Sequence, residues 1–175
     1  MRNIFRRGAV VPAEVSARAG LGRGDSVLAA AVADDGTWLL GSRDALVLVG
    51  DGAVLQLPWE RIETADWDRD RSRLRVSEVG EFGQVRPVHT LTVPDPGLLL
   101  PMVRERVTAS VLLQRRVPVV GRLGVLVVAR RPPRGQGDIV WAVEFDAGLD
   151  PDDPLVADAA ADALRAAQEE LGPGR

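Results

Sequence analysis

Residues 27–57, VLAAAVADDGTWLLGSRDALVLVGDGAVLQL, decide the fold. The stretch splits into short apolar runs, Val27 to Ala33, Thr37 to Ser42, Ala45 to Val49 and Ala53 to Leu57. Between them stand Asp34-Asp35-Gly36, Arg43-Asp44 and Gly50-Asp51-Gly52. Runs this short, bounded by turn residues, read as strands rather than helices. The Asp-Gly pairs at 35–36 and 51–52 supply the positive φ that tight hairpin turns require, so the stretch predicts an antiparallel meander.

Moving toward the C-terminus, Pro58 cannot donate to a ladder and marks a bend or an edge. From Trp59 to Trp67 the odd positions alternate with Glu60, Ile62, Thr64 and Asp66, a period of two that leaves the buried face open. Arg71 to Val79 and Val85 to Val93 also read as strands. Pro94-Asp95-Pro96 then breaks the pattern, and Gly97 to Arg115 reads as a helix with Leu99, Met102 or Val103, Arg106 or Val107, Ser110 and Gln114 on one face. Arg115 and Arg116 would sit at its negative end. Val117 to Arg131 and Ile139 to Phe145 predict a second hairpin around Pro132-Pro133-Arg134. Asp152 or Asp153 caps an alanine-rich helix from Pro154 to Leu171, closed by Gly172. Its stripe of Leu155 or Val156, Ala160, Ala163 or Leu164, Ala167 and Leu171 is narrow and small. Toward the N-terminus, Pro12 to Gly20 reads as a short helix behind a basic arm of Arg2, Arg6 and Arg7.

Six or seven antiparallel strands followed by an amphipathic helix is the element order of a pleckstrin-homology-like (PH-like) barrel, in which the helix plugs one open end. The segment from Asp35 to Val49, followed by Trp59, Ile62 and Trp67 in a Trp-x-x-Ile-x-x-x-x-Trp spacing, resembles bacterial PH-like domains of actinobacterial proteins. The resemblance covers residues 26–115. It implies an α+β fold, a PH-like antiparallel β-barrel or sandwich closed by an amphipathic helix and extended by a C-terminal β-hairpin and α-helix. On this reading one domain spans 1–175, with residues 1–25 as arm and short helix, 26–115 as the PH-like strands and helix, and 116–175 as the hairpin and last helix. Lipid-binding members place basic residues in the first hairpin loop. Here that loop is Asp34-Asp35-Gly36, which repels phosphate, so phosphoinositide binding is not expected.

A chain of 175 residues suits one core, and 46% hydrophobic with 27% charged residues and a net charge of −3 is an ordinary globular composition. Every basic residue is arginine, a bias that fits a high-GC bacterial genome. With no cysteine there are no disulfides, thiolate ligands or cysteine nucleophiles. The longest apolar runs fall far short of the roughly 20 residues of a membrane span, and Met1 to Pro12 lacks a continuous apolar signal core, so a cytoplasmic location is expected.

No catalytic set is legible. His89 is the only histidine, so neither the usual zinc and iron ligand sets nor a Ser-His pair with a recognisable elbow can be assembled. The glycines at 20–24 and 135–137 lack the ending of a P-loop and the setting of a dinucleotide fingerprint. Asp150, Asp152 and Asp153 lack EF-hand spacing and read as capping residues, and Arg23-Gly24-Asp25 reads as coincidence. Neither a metal nor another cofactor is expected. Charge is more informative: residues 104–134 hold eight arginines and one acid, while residues 135–171 hold ten acids and one arginine. Blocks of opposite sign either pair with each other or serve a partner.

The leading expectation is a non-enzymatic protein-interaction or scaffold module that binds through a sheet edge or groove and self-associates or takes a protein partner. Its candidate surface is Trp59, Arg61, Trp67, Arg115, Arg116, Arg130, Arg131 and Arg134. The alternative is a small-molecule-binding protein or enzyme whose carboxylate/arginine site uses Glu60, Arg61, Asp66 and Asp68 near Trp59 and Trp67. Nucleic-acid binding through the arginines of 104–134 is a weaker third reading.

Overall fold

A computed structural model describes residues 9–21, 25–80, 86–135 and 137–172. The arm arginines Arg2, Arg6 and Arg7, together with Arg23, Gly24 and Val85, lie outside them. The chain is α+β, with three antiparallel sheets and three α-helices among these residues.

The meander of residues 27–57 forms as expected, except that of the two Asp-Gly pairs only 35–36 supplies a positive φ; Gly52 does not. Strands β1 (Ala29–Val32), β2 (Trp38–Gly41), β3 (Ala45–Val49) and β4 (Val54–Pro58) pair in that order in one sheet. At the first turn Gly36 takes φ +84°, and the Asp35 carboxylate accepts the Thr37 N–H at 2.9 Å. That bond holds the Asp35 carboxyl below its usual range. The runs of β1 to β3 are apolar because both faces of the sheet are covered there, whereas the edge strand β4 leaves Val54, Leu55 and Gln56 exposed. Leu39, Leu46 and Leu48 point into the main core, whereas Leu40, Val47 and Val49 meet Val15 and Ala19 from the region of helix α1 (Ala13–Arg18).

A second sheet holds β5 (Ile62–Asp68), β6 (Arg73–Glu78) and β7 (Val88–Thr92) in chain order. It contributes Ile62, Leu74, Val76 and Leu91 to the main core, and helix α2 (Leu99–Ser110) adds Leu99 and Val103. Asp34 N–H donates to the Thr92 carbonyl at 2.9 Å where β1 and β7 end. No sheet closes on itself among the described residues, so the expected closed barrel does not form.

Three local expectations need correction. The alternation from Trp59 to Trp67 is not one strand: Trp59–Arg61 is a 3₁₀ turn, and β5 starts at Ile62 with an irregularity between Ile62 and Thr64. Trp59 and Ile62, three residues apart, are therefore both fully buried. The helix expected over 97–115 ends at Ser110, where Val111 turns to extended backbone at φ −77°, ψ 121°. Arg115 and Arg116 consequently lie on a strand. The expected second hairpin is a three-stranded sheet, ordered β10-β9-β8, of β8 (Val111–Val120), β9 (Leu123–Arg130) and β10 (Val140–Phe145).

Helix α3 (Pro154–Leu171) begins where expected: the Asp153 side chain accepts the Leu155 N–H at 2.8 Å, with proline in the first turn. Val156, Ala160, Ala163 and Ala167 are its buried stripe, and Leu155 is exposed. Three of those alanines pack on Val125 and Val127 of β9 in a core of their own. Among the described residues no helix is long and apolar enough to cross a membrane.

Candidate interaction groove

The third sheet has two different faces. Strand alternation sends Trp141, Val143 and Phe145 of β10 to one side, where they join the core under α3. Val140, Ala142 and Glu144 point to the other side, as does Arg130, the β9 partner of Val140. On that second side the sheet meets β5. Arg130 donates to the Glu63 carbonyl at 2.9 Å, to Ser110 Oγ at 3.0 Å and to the Val107 carbonyl at 3.3 Å. One buried guanidinium thus ties β9 to β5 and to the end of α2.

A small ionic cluster surrounds this tie. Glu63 is buried and pairs with Arg86. Glu144 has its carboxyl pushed above the usual range, first by burial and then by a hydrogen bond to the neighbouring Glu63 carboxyl and its charge, while Arg86 and Arg130 act in the opposite sense. Burial lowers the pKa of Arg130, which the two glutamates partly offset.

The edge of β10, unpaired among the described residues, opens into a groove of about 580 Å³, within the size range of ligand sites. On one side the wall is α3, through Ala157, Ala160, Ala161 and Leu164. On the other side it is Arg61, Val79, Gly80 and Arg86. The floor is β10 itself, from Val140 to Val143 together with Phe145. Arg61 is exposed and makes no ion pair among the described residues. The Arg61 carbonyl accepts the Val79 N–H at 2.8 Å, which fixes the mouth of that wall.

The residues singled out in the sequence are dispersed. Trp59 is fully buried, its indole N–H donating to the Ser42 carbonyl at 3.2 Å, and Trp67 packs partly buried against the main core. Arg115 pairs with Glu170 at 2.8 Å, Arg116 with Asp146, and Arg134 with Asp44 at 2.8 Å. Arg131 Nη1 reaches the Gly135 carbonyl at 3.5 Å. Two of these pairs join the basic block to the acidic one, which is the intramolecular pairing weighed against a nucleic-acid face. Of Glu60, Arg61, Asp66 and Asp68, only Arg61 lines the groove; Asp66 accepts from Thr64 and Asp68 pairs with Arg71. The sequence marks Ala160 and Leu164 only as part of a helix stripe and gives no sign of Glu63, Arg86, Glu144, Ala157 or Ala161 as site residues. The alternation of Val140 to Phe145 signals their strand, but which neighbour it lacks depends on sheet order.

No family model matches the chain, and neither a curated protein nor a solved structure matches it.

Proposed function

We propose that this chain is a cytoplasmic, non-enzymatic protein-interaction module built on a PH-like shell, and that it captures an extended segment of a partner along the free edge of β10. The observation that carries this reading is the groove itself: among the described residues an edge strand lies unpaired between a helix of small residues and a second, cationic wall. An edge strand offers a row of backbone donors and acceptors, and an added strand uses them while its side chains fill the flanking pockets. Alanines at 157, 160 and 161 leave room for a backbone to approach α3 closely. The PH-like shell is supported by the element order, seven strands in two antiparallel sheets followed by α2 in their core.

The test is selection of binders from a displayed library of ten-residue peptides, with the contact mapped by amide chemical shifts. Binders are expected to perturb Val140 to Phe145 and to lose affinity on Ala161→Trp, which fills the groove from an exposed helix position. Binders that map elsewhere, or that ignore the tryptophan in a folded variant, would overturn the proposal.

A further inference from the structure

We infer that the segment bound along β10 alternates apolar and acidic side chains, the apolar ones facing α3 and the acidic ones facing Arg61 and Arg86. The inference rests on the strand-addition reading and gives its partner a chemistry. A strand added to β10 continues the plane of the third sheet, so its successive side chains point to opposite faces. One face is that of Trp141, Val143 and Phe145, roofed by α3, where Ala157, Ala161 and Leu164 present only carbon. An apolar side chain there leaves water without losing hydrogen bonds. The opposite face is that of Ala142 and Glu144, which looks toward the second sheet and the two groove arginines. A carboxylate on that face meets a guanidinium, the pairing whose planar geometry permits two parallel hydrogen bonds.

Among the described residues the charge on that wall is not already matched. Arg86 and Arg130 are set against Glu63 and Glu144, which leaves Arg61 over at the mouth. A basic side chain would face the two groove guanidinium groups, and a neutral one would leave Arg61 to water. The acidic residues of α3 do not reverse this preference. Asp158 and Asp162 stand one position beyond Ala157 and Ala161 on the solvent side of the helix, and Asp162 pairs with Arg165.

The experiment titrates the full-length chain with three labelled ten-residue peptides, (Val-Glu)₅, (Val-Ser)₅ and (Val-Lys)₅, each with free and with amidated C-termini, by fluorescence anisotropy. The glutamate peptide is expected to bind at least about tenfold more tightly than the serine peptide and to weaken with added salt, the scale of one charge-assisted hydrogen bond. Arg61→Glu, at an exposed position, is expected to abolish that margin while leaving the thermal melt unchanged, and to bring the lysine peptide up to parity or beyond. Loss of binding on amidation alone would mean that a chain-terminal carboxylate is read rather than the alternating side chains, and would overturn the inference. Equal binding of serine and glutamate peptides at β10 would overturn the acidic preference yet leave strand addition standing. If no peptide shifts the β10 amides, strand addition falls as well. A dimer in sedimentation that saturating glutamate peptide cannot dissociate, with β10 amides protected in the free protein, would assign the edge to a second copy and overturn the inference.

Discussion

Trp59 shows how much one side chain decides in this chain. It is fully buried in the main core, its indole N–H meets the Ser42 carbonyl, and its own backbone N–H donates to the Asp44 carbonyl at 3.2 Å. It therefore fastens the second turn of the first sheet to the start of the second sheet. Trp59→Ala should lower unfolding free energy by about 3–5 kcal/mol, and Trp59→Phe by less, since the ring volume mostly survives and one hydrogen bond is lost. Urea denaturation of both variants checks the order; equal costs would mean that the cavity adds nothing beyond the indole bond lost in both. The sequence puts Trp59 on a candidate interaction surface, whereas the fold buries it completely. A 3₁₀ turn replaces the period of two by a spacing of three at this point, so the alternation misplaces the buried face. Arg130 was legible as a cation and illegible as a core residue, because its partners are carbonyls of β5 and α2 that no pattern in the sequence aligns with it.

At the scale of elements, helix α3 and the β8–β9 hairpin rest on single positions of opposite kinds. Asp153 satisfies the Leu155 N–H that the helix start leaves open, so Asp153→Ala should cost about 1 kcal/mol. Thermal melting checks it, with Asp153→Asn as the variant expected to retain most of the stability. Gly124 on β9 has no space for a side chain. A methyl group there would stand 2.3 Å from the Val117 carbonyl oxygen, a backbone atom that cannot swing aside. Gly124→Ala should therefore destabilise by about 1–3 kcal/mol and speed amide exchange along β8 and β9; unchanged exchange would show that the strand relaxes without cost. The first of these positions could be read from the sequence because caps are local chemistry. The second could not, since Val117 to Arg131 reads as one run and nothing in it places a turn at Gly121 that folds Gly124 back onto Val117. Val107, Ser110 and Gln114 keep helical spacing past the true end, yet Leu113, Val117 and Val119 keep a period of two and pack toward α3. The two periods overlap on the same residues, and tertiary contact with α3 settles the choice in favour of the strand.

For the whole molecule, the joint between the second and third sheets is ionic, and its response to pH follows from Glu144. Burial, followed by the Glu63 hydrogen bond and charge, raises the Glu144 carboxyl above its ordinary range, against the pull of Arg86 and Arg130. A group with a raised folded-state pKa binds its proton more tightly folded than unfolded. Its contribution to stability is full below the unfolded pKa and is lost as pH rises through the folded one. Asp35, Asp68 and Asp146 shift the other way, held down first by backbone hydrogen bonds from Thr37, Arg71 and Gly124, so their contributions exist above the unfolded pKa and are lost as pH falls. These three act equally in the parent and in Glu144→Gln, so the difference between the two proteins reports Glu144 together with the Glu63 carboxyl it meets. The glutamine keeps the shape of the neutral carboxyl at every pH. Its denaturation midpoint should exceed that of the parent at about pH 8, and the margin should close as pH falls toward about 4. Denaturant titrations across that interval make the comparison. A variant less stable than the parent at the alkaline end would mean that Arg86 and Arg130 favour the Glu144 carboxylate by more than burial and Glu63 disfavour it.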